Sequence, residues 1–589
     1  MVINHFVLFR RNYFLFVVYK MDEIVYDMSK QSEASSQIFV KKDWINILDN
    51  QNGSYNGNQS VIDTSQLSNS NKYMNYREGY LTVPLLLTAT SPASAVAAEQ
   101  FLPNVAGTSA DYVFGLKNWY GSIVHSMTLD LNGTTIIQST PYAGLWNTFK
   151  LMTSLSLDDL KTQGSAIGFY PDTADAVGVA SANSRAGIIN STVHNSPVGA
   201  FDTVGGAFNP AGTFNEGLLR RQQAWNFDRD GVSSGGATFG SLVSADQLNQ
   251  LWKSYIFTKV PATAAVQGVF QVAITAIIKL KHLHSFFDRI PLAKGLFFKM
   301  TLNLNQSSVD LTTGAGSIIT ECVVNSPLGG VSPIMVCDDA TAGSLPVDTT
   351  VKVSLAVGGS VINSAQRGTT GVADSPLGRN IILNVPAYTF APTYESAYLS
   401  SPVKKIDYCD IYQYQVLNIG AGKVANNLIS NGIAGVKSCL CLPFYTAASN
   451  GSALFPLQPI QSPFEGAGCG TTSPLVLLTN FNIQLSGQNQ IYNTQRYAHS
   501  QFLDQLYGHG AVSSGQLDGL TSGLVGKSEF EKCYNYYYVS CDYGLPVEKD
   551  VPKSVNILGT NTSAKAIDLF VFVEYETSVS VDILTGSRV

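Results

Sequence analysis

The residues best placed to do chemistry lie in KLKHLHSFFDRIPLAKG. His282 and His284 stand two apart, and Asp288 follows four residues later. In a strand that spacing puts both imidazoles on one face, where they could serve as two ligands of a metal ion with the carboxylate as a third. No further Cys, His or carboxylate run nearby completes the set. Cys439 and Cys441 are likewise same-face strand neighbours, but none of the eight cysteines forms a CxxC pair, and buried free thiols fit such scattered spacing. GLTSGLVGKS (Gly519 to Ser528) has the outline of a phosphate loop. The pattern requires Gly five residues before Gly526-Lys527-Ser528, however, and Thr521 stands there with no apolar strand leading in. Asp158-Asp159 suggest an acid/base pair, yet adjacent carboxylates diverge on a helix, and near a helix start they complement its dipole. His125 sits among apolar residues and reads as a core histidine bonded to backbone. There is no GxSxG elbow. No catalytic, cofactor-binding or metal-ligating residue is therefore assigned, no cofactor is expected, and the chain is not read as an enzyme.

The stretch that organises the chain runs from Gln271 to Gln306. Val272, Ile274, Ala276, Ile278 and Leu280 alternate with more polar residues. After a corner at Ser285–Pro291, Leu296, Phe298, Met300, Leu302 and Leu304 alternate again. Period-2 alternation marks half-buried strands, and Pro291 forbids a ladder bond at the corner. Two long strands around a packed aromatic corner are predicted.

With 589 residues the chain exceeds one ordinary core, so two large domains are expected. Only 13% of residues are charged, about half the usual share, while Gly, Tyr and Phe are plentiful. Such a composition suits β-structure and surfaces that end against other protein, where charge is depleted. The net charge is −6 with no basic stripe, which argues against a dedicated nucleic-acid groove. Near the N-terminus, Tyr13 to Tyr19 is a seven-residue apolar run preceded by Arg10 and Arg11, too short for a membrane span. Met21 and Met28 each offer an alternative start.

Residues 1–75 read as an Asn-, Ser- and Gln-rich N-terminal arm. Residues 76–310 form a first β domain. It contains a hairpin turning at Asn132-Gly133, a helix carrying Trp146, Phe149 and Met152, a capped step at Ser156, and a long Gly/Ala/Ser loop over 164–240. Arg220, Arg221, Asp228, Arg229 and Asp230 form an ion-pair cluster in that loop, and Ser244 and Gln247 fit a capping box just after it. Residues 311–345 read as a linker and 346–589 as a second β domain. In that second part a strand at LVLLTNFNIQLSG leads to a helix at RYAHSQFLDQLYG that stops at Gly508, and YNYYYVSC and KAIDLFVFVEYETSVSVDI close the chain. The halves share an order of parts without a residue-level repeat, and many short strands with long loops favour jelly-roll sandwiches.

Three blocks carry a resemblance. They are VHSMTLDLNGTTIIQSTPYAGLWNTFKLMTSLSLDDL with GFYPDT; the 271–306 stretch with HSFFDRIPLAKG; and LVLLTNFNIQLSGQNQIYNTQRYAHSQFLDQLYG through GLTSGL to NTSAKAIDLFVFVEYE and a final TG. In order and spacing over Tyr112 to Gly586 they resemble the major capsid proteins of virophages and polinton-like viruses. The resemblance implies an all-β fold of two consecutive eight-stranded jelly-roll sandwiches, a double jelly-roll. It also implies homotrimeric, pseudo-hexameric capsomers tiling an icosahedral shell around a double-stranded DNA genome. The implied partners are further copies of the chain together with penton and other minor capsid proteins. No specific nucleic-acid binding is implied, and contact with an internal membrane is left open. The implied location is the virion, with assembly inside the host cell. The alternative from the Tyr- and Trp-rich loops is a carbohydrate-binding or carbohydrate-active β-sandwich protein.

Overall fold

The computed structural model describes residues 38–67, 71–92, 112–116, 118–171, 255–260, 268–313, 319–328, 332–338, 350–359, 380–446, 476–491, 496–509, 523–532, 534, 536–541, 550–563, 566–585 and 588. In chain order the strands of the first part are β1 (Phe39–Leu48), β2 (Gln59–Asp63), β3 (Tyr73–Met74), β4 (Tyr80–Ser91), β5 (Tyr112–Leu116), β6 (Val124–Leu131), β7 (Thr134–Ile137), β8 (Tyr255–Val260), β9 (Gly268–Lys279), β10 (Phe298–Leu304), β11 (Ser308–Thr313), β12 (Ile319–Asn325), β13 (Ile334–Asp338), β14 (Thr350–Val357) and β15 (Ile382–Phe390). Those of the second part are β16 (Val403–Ile419), β17 (Val424–Ile433), β18 (Val436–Tyr445), β19 (Leu478–Leu485), β20 (Gln488–Asn489), β21 (Tyr537–Ser540), β22 (Lys553–Asn561) and β23 (Ile567–Asp582).

The second part is two four-stranded antiparallel sheets, ordered β16-β23-β18-β21 and β17-β22-β19-β20. Counting its strands one to eight, the sheets read 1-8-3-6 and 2-7-4-5, the Greek-key closure of a jelly roll. The first part repeats the order. β1, β15, β4 and β9 pair successively as 1-8-3-6, and β2-β10-β6-β7 pair as 2-7-4-5. The fold is a double jelly-roll.

Pairing places the division of the chain later than the sequence suggests. β15, which follows the expected linker, pairs along β1 from Phe39↔Phe390 to Leu48↔Ile382 and with β4 at Ile382↔Thr82, so it is the closing strand of the first sandwich. Residues 311–345 are strand-bearing. β11 pairs with both β12 and β14, β14 continues along β4 from Val357↔Leu85 to Lys352↔Thr90, and β13 pairs with β5. Gly and Ser content signalled a linker there, but alternating Val and Leu had partners 220 to 270 residues upstream that spacing does not reveal. The expected arm also contains structure: β1, β2 and β3 are sheet strands, with Ile47, Ile62 and Tyr73 buried. The N-terminal run Tyr13 to Tyr19, the charged cluster Arg220–Asp230 and the Ser244 capping box lie outside the described residues.

Within Gln271–Gln306 the alternation holds. Val272, Ile274, Ala276, Ile278 and Leu280 are buried, as are Phe298, Met300, Leu302 and Leu304. Yet β9 pairs with β4, whereas β10 pairs with β2 and β6. The corner therefore carries the chain from one sheet to the facing one, as strands six and seven of eight rather than as the end of the sandwich. It does so through two short helical turns, Leu280–Leu283 and Phe286–Arg289.

Local signals acted as expected at several places. Asn132 and Gly133 turn the β6–β7 hairpin with φ of 48° and 80°, both on the positive side that a type I′ turn needs. The helix Ala143–Ser154 buries Trp146, Phe149 and Met152. Ser156 caps the helix Leu157–Ile167 in a reciprocal capping box with Asp159. Helix His499–His509 buries Phe502 and Leu506 but continues through Gly508 instead of stopping there.

Candidate functional site: the junction between the two sandwiches

The dipeptide-spaced histidines do not share a face. His282 lies in the turn Leu280–Leu283 and His284 caps it in an extended conformation, so the strand geometry that would have made them co-ligands is absent. Asp288 instead bonds Arg77 at 3.1 Å. No group of three or more His, Cys, Asp or Glu suited to a metal ion occurs among the described residues.

His284 is turned toward the second sandwich. Its Nε2 lies 3.3 Å from Asp410 Oδ1 on β16, and both side chains are buried. Phe286 N–H donates to His284 Nδ1 at 3.2 Å, which assigns the ring proton to Nε2, where it is donated to the carboxylate. Asp410 also accepts from its neighbour Ile411 N at 2.8 Å and from Tyr575 OH at 3.3 Å. Burial and the Asp410 charge push the Tyr575 phenol well above its ordinary range.

This His–Asp pair has the composition of a catalytic dyad but not its wiring. Both ring nitrogens are committed, and the adjacent Ser285 hydroxyl donates to Cys409 carbonyl rather than to the imidazole. The base of a triad needs a free nitrogen aimed at its nucleophile. The network is a structural latch.

Ser285 shows what the latch secures. β16 is the edge of its sheet, so its outward backbone groups require partners. The Ser285 hydroxyl also accepts from Cys409 N at 3.1 Å, and Thr140 Oγ1 donates to Ile411 carbonyl at 2.8 Å. Two hydroxyls of the first half thus satisfy backbone groups of β16 at Cys409 and Ile411. Tyr408 adds a bond from its OH to Ile136 carbonyl at 2.6 Å and an edge contact with Phe286 at 5.2 Å between ring centres.

Beside it, the helix Ala143–Ser154 lies on the β16-β23-β18-β21 sheet. Tyr142 meets Phe570 edge-on at 5.2 Å, Trp146 meets Phe572 at 6.3 Å, and Phe149 stacks on Tyr538 at 5.3 Å. This explains the burial pattern of β23, where Phe570 and Phe572 are as buried as the alternating Leu569, Val571 and Val573. One face looks into its own sandwich and the other onto the neighbouring one. Leu524 N–H bonds Met152 carbonyl and Val525 is buried, so the visible part of the apparent phosphate loop packs against this helix.

Residues 583–585 also dock on the end of the corner. Lys294 N and Gly295 N both donate to Ile583 carbonyl, at 2.9 and 3.0 Å, and a Cβ on Gly295 would fall 1.9 Å from Leu584 carbonyl oxygen. The LAKG end of the corner is a docking bed that only glycine permits.

Between the halves, next to the latch, opens a cleft of about 590 Å³. It is lined by Lys150, Lys281 and His282 from the first half and by Asp407, Glu574 and Glu576 from the second. Burial first, and then the neighbouring Lys281, Lys279 and Lys150, push His282 down to about 3. Burial drives the Cys409 thiol up to about 12, the reverse of what a nucleophilic thiol needs. Cys439, Cys441 and Cys541 are free and buried in the second core. His125 is half-buried and packs edge-on to Tyr142 at 5.0 Å, but its Nε2 has no partner, so the expected backbone bond is not made there.

No family model and no curated protein matches this chain. Solved structures do. The likeness is to viral capsid proteins. Mavirus major capsid protein aligns over 95% of this chain and 93% of its own at 10% identity, with a TM-score of 0.44. The Sputnik virophage cryo-EM structure aligns over 94% and 88% at 12% identity and TM-score 0.41, and Faustovirus major capsid protein over 91% and 90% at 12% and 0.40.

Of the junction residues, sequence reasoning singled out the corner, Phe286, Phe287 and the helix aromatics. It missed Asp410, Tyr575, Thr140 and the Gly295–Leu584 contact. Each of these acquires its role from a partner more than 100 residues away.

Proposed function

We propose that this chain is a major capsid protein, a structural rather than catalytic component of a virion. In this reading three copies form a pseudo-hexagonal capsomer, and capsomers tile an icosahedral shell around a double-stranded DNA genome. The observation that carries it is the repetition of one strand order, 1-8-3-6 over 2-7-4-5, in two sandwiches of a single chain locked side by side by a buried junction. Two like sandwiches per chain give a trimer six similar lobes, which is what hexagonal tiling requires. The three sequence blocks support the same reading. One of them contributes the corner that builds the junction.

Lateral association also suits the surface. β16 and β17 are edge strands on one flank of the second sandwich, and Tyr412, Tyr414, Leu417, Val424 and Leu428 are exposed along them. Unpaired edges carrying exposed apolar side chains are association surfaces unless something covers them. The carbohydrate alternative finds less support, because among the described residues Trp119, Trp146, Tyr536, Tyr537 and Tyr538 are buried, and Trp44 is the one described tryptophan that is exposed.

Light scattering coupled to size exclusion, with negative-stain microscopy, tests the proposal on the purified chain. Trimers that present a hexagonal outline, and shells or sheets at higher concentration, are expected. A protein that stays monomeric across salt and pH would sink it.

A further inference from the structure

The cleft beside the latch carries a charge imbalance that its own residues do not resolve, whatever the assembly of the chain. Its lining holds as many acidic as basic side chains, but the acids are already engaged. Asp288 pairs with Arg77 at 3.1 Å, Glu576 with Lys437 at 3.4 Å and Asp407 with Lys405 at 2.9 Å. Asp159 is held in the capping box of Ser156, and Glu574 accepts from Ser438 Oγ at 2.9 Å. Lys150 and Lys281 have no carboxylate at ion-pair distance among the described residues. Both stand on the wall supplied by the first half, one on the helix Ala143–Ser154 and the other in the turn Leu280–Leu283. Lys279, just before that turn, bonds the Gln163 amide oxygen at 2.5 Å rather than a carboxylate. The three ammonium groups converge on His282: after burial, they are what hold its imidazole neutral. Like charges gathered in a cleft without a counter-ion raise a positive potential that an anion relieves.

We propose that this wall of the cleft binds the phosphate group of a small molecule, with Lys150 and Lys281 as its charged partners. A dianion matches the two unpaired ammonium groups, whereas a single carboxylate would leave one of them unmatched. Lysine serves phosphate as a point charge, with no demand for the planar fork that a carboxylate shares with arginine. The open volume of about 590 Å³ falls within the range of small-ligand pockets, roughly 300 to 1,000 Å³, and has room for a phosphate ester as well as for the free ion. Asp407, Glu574 and Glu576 on the opposite wall fix the orientation, with the phosphate toward the lysines and any uncharged remainder toward the second sandwich. The same acidic wall repels a chain of successive phosphates, which separates this ligand from a nucleic-acid strand. A molecule seated here touches both halves beside the latch.

Isothermal titration calorimetry of the purified full chain, at neutral pH and constant ionic strength, tests this with inorganic phosphate and with adenosine monophosphate as probes. Saturable binding is expected, weakened roughly tenfold or more in K150Q/K281Q and kept in K423Q, which removes an exposed cation outside the cleft. Tighter binding of the nucleotide assigns the site to a phosphate ester; equal or tighter binding of inorganic phosphate assigns it to the free ion. No saturable heat with either probe overturns the proposal. Binding undiminished in K150Q/K281Q, or weakened as much in K423Q, overturns it too, since either places the anion elsewhere. Acetylation footprinting of the unaltered chain repeats the test without a substitution. The bound probe should slow labelling of Lys150 and Lys281 relative to Lys423, and equal labelling with and without it would again overturn the proposal.

Discussion

His284 and Asp410 lie 126 residues apart in sequence, and their side chains meet at 3.3 Å in the buried boundary between two sandwiches. The imidazole receives Phe286 N–H at one nitrogen and gives its proton to the carboxylate at the other, and the carboxylate takes a further bond from Tyr575. A buried carboxylate is tolerated only when its oxygens are served in this way. The pair therefore reports whether the two halves are docked.

Replacing Asp410 with Ala should leave the His284 N–H, the Tyr575 hydroxyl and the Ile411 amide without their acceptor. A loss of about 2–4 kcal/mol in unfolding free energy is expected. D410N keeps one acceptor oxygen and should lose less. Urea titration of the two variants checks the order; a D410A midpoint equal to that of the unaltered protein would show that the latch contributes nothing.

Gly295→Ala places a methyl group against Leu584 carbonyl, where backbone cannot yield without separating residues 583–585 from the corner. Overpacking of this kind costs about 1–3 kcal/mol. The C-terminal segment should become the first site of proteolytic nicking in the variant, read by mass spectrometry of a limited digest. A digest identical to that of the unaltered chain would place the strain elsewhere.

Phe287 is fully buried between Phe286 and Phe298, with ring centres 5.7 and 6.0 Å away. Phe287→Asp buries an unpaired carboxylate at the base of the corner, a penalty of several kcal/mol. Soluble, assembled protein should be lost, whereas F287L should retain it with a lower melting temperature. Recovery of normally assembled F287D would mean that the corner is open to solvent.

The acid side of the stability profile depends on His282. Its folded-state value, about 3, lies below the ordinary value of 6.5, so between those two the unfolded chain binds the extra proton. Stability contributed by the neutral ring is complete above the ordinary value and declines as pH falls toward 3, by up to about 1.4 kcal/mol per pH unit. Asp49 and Asp568, raised by burial, act in the opposite sense at the acid end. Melting temperatures of H282Q and the unaltered protein should therefore converge as pH drops from 7 to 5. Parallel profiles would remove His282 from the account.

Much of the fold can be read from residue order. Alternation at 272–280 and 298–304 marked strands whose buried faces are the ones observed, because a pleated strand exposes its two faces in turn whatever it pairs with. Asn132-Gly133 and Ser156–Asp159 are local devices, and their partners lie within three residues. The sequence by itself thus determined an all-β chain, the hairpin, the helix capped at Ser156, and the importance of the FFDRIPLAKG corner.

Tertiary structure alone decided where the first sandwich ends and what the histidines do. β15 completes the sheet begun by β1 more than 300 residues earlier, and no spacing rule links Leu48 to Ile382. The second buried face of β23, the hydroxyls that cap β16 and the glycine beneath Leu584 are likewise contacts between segments distant in the chain. Local patterns encode which face of an element is apolar. Which other element covers that face is settled only by the closure of the whole chain.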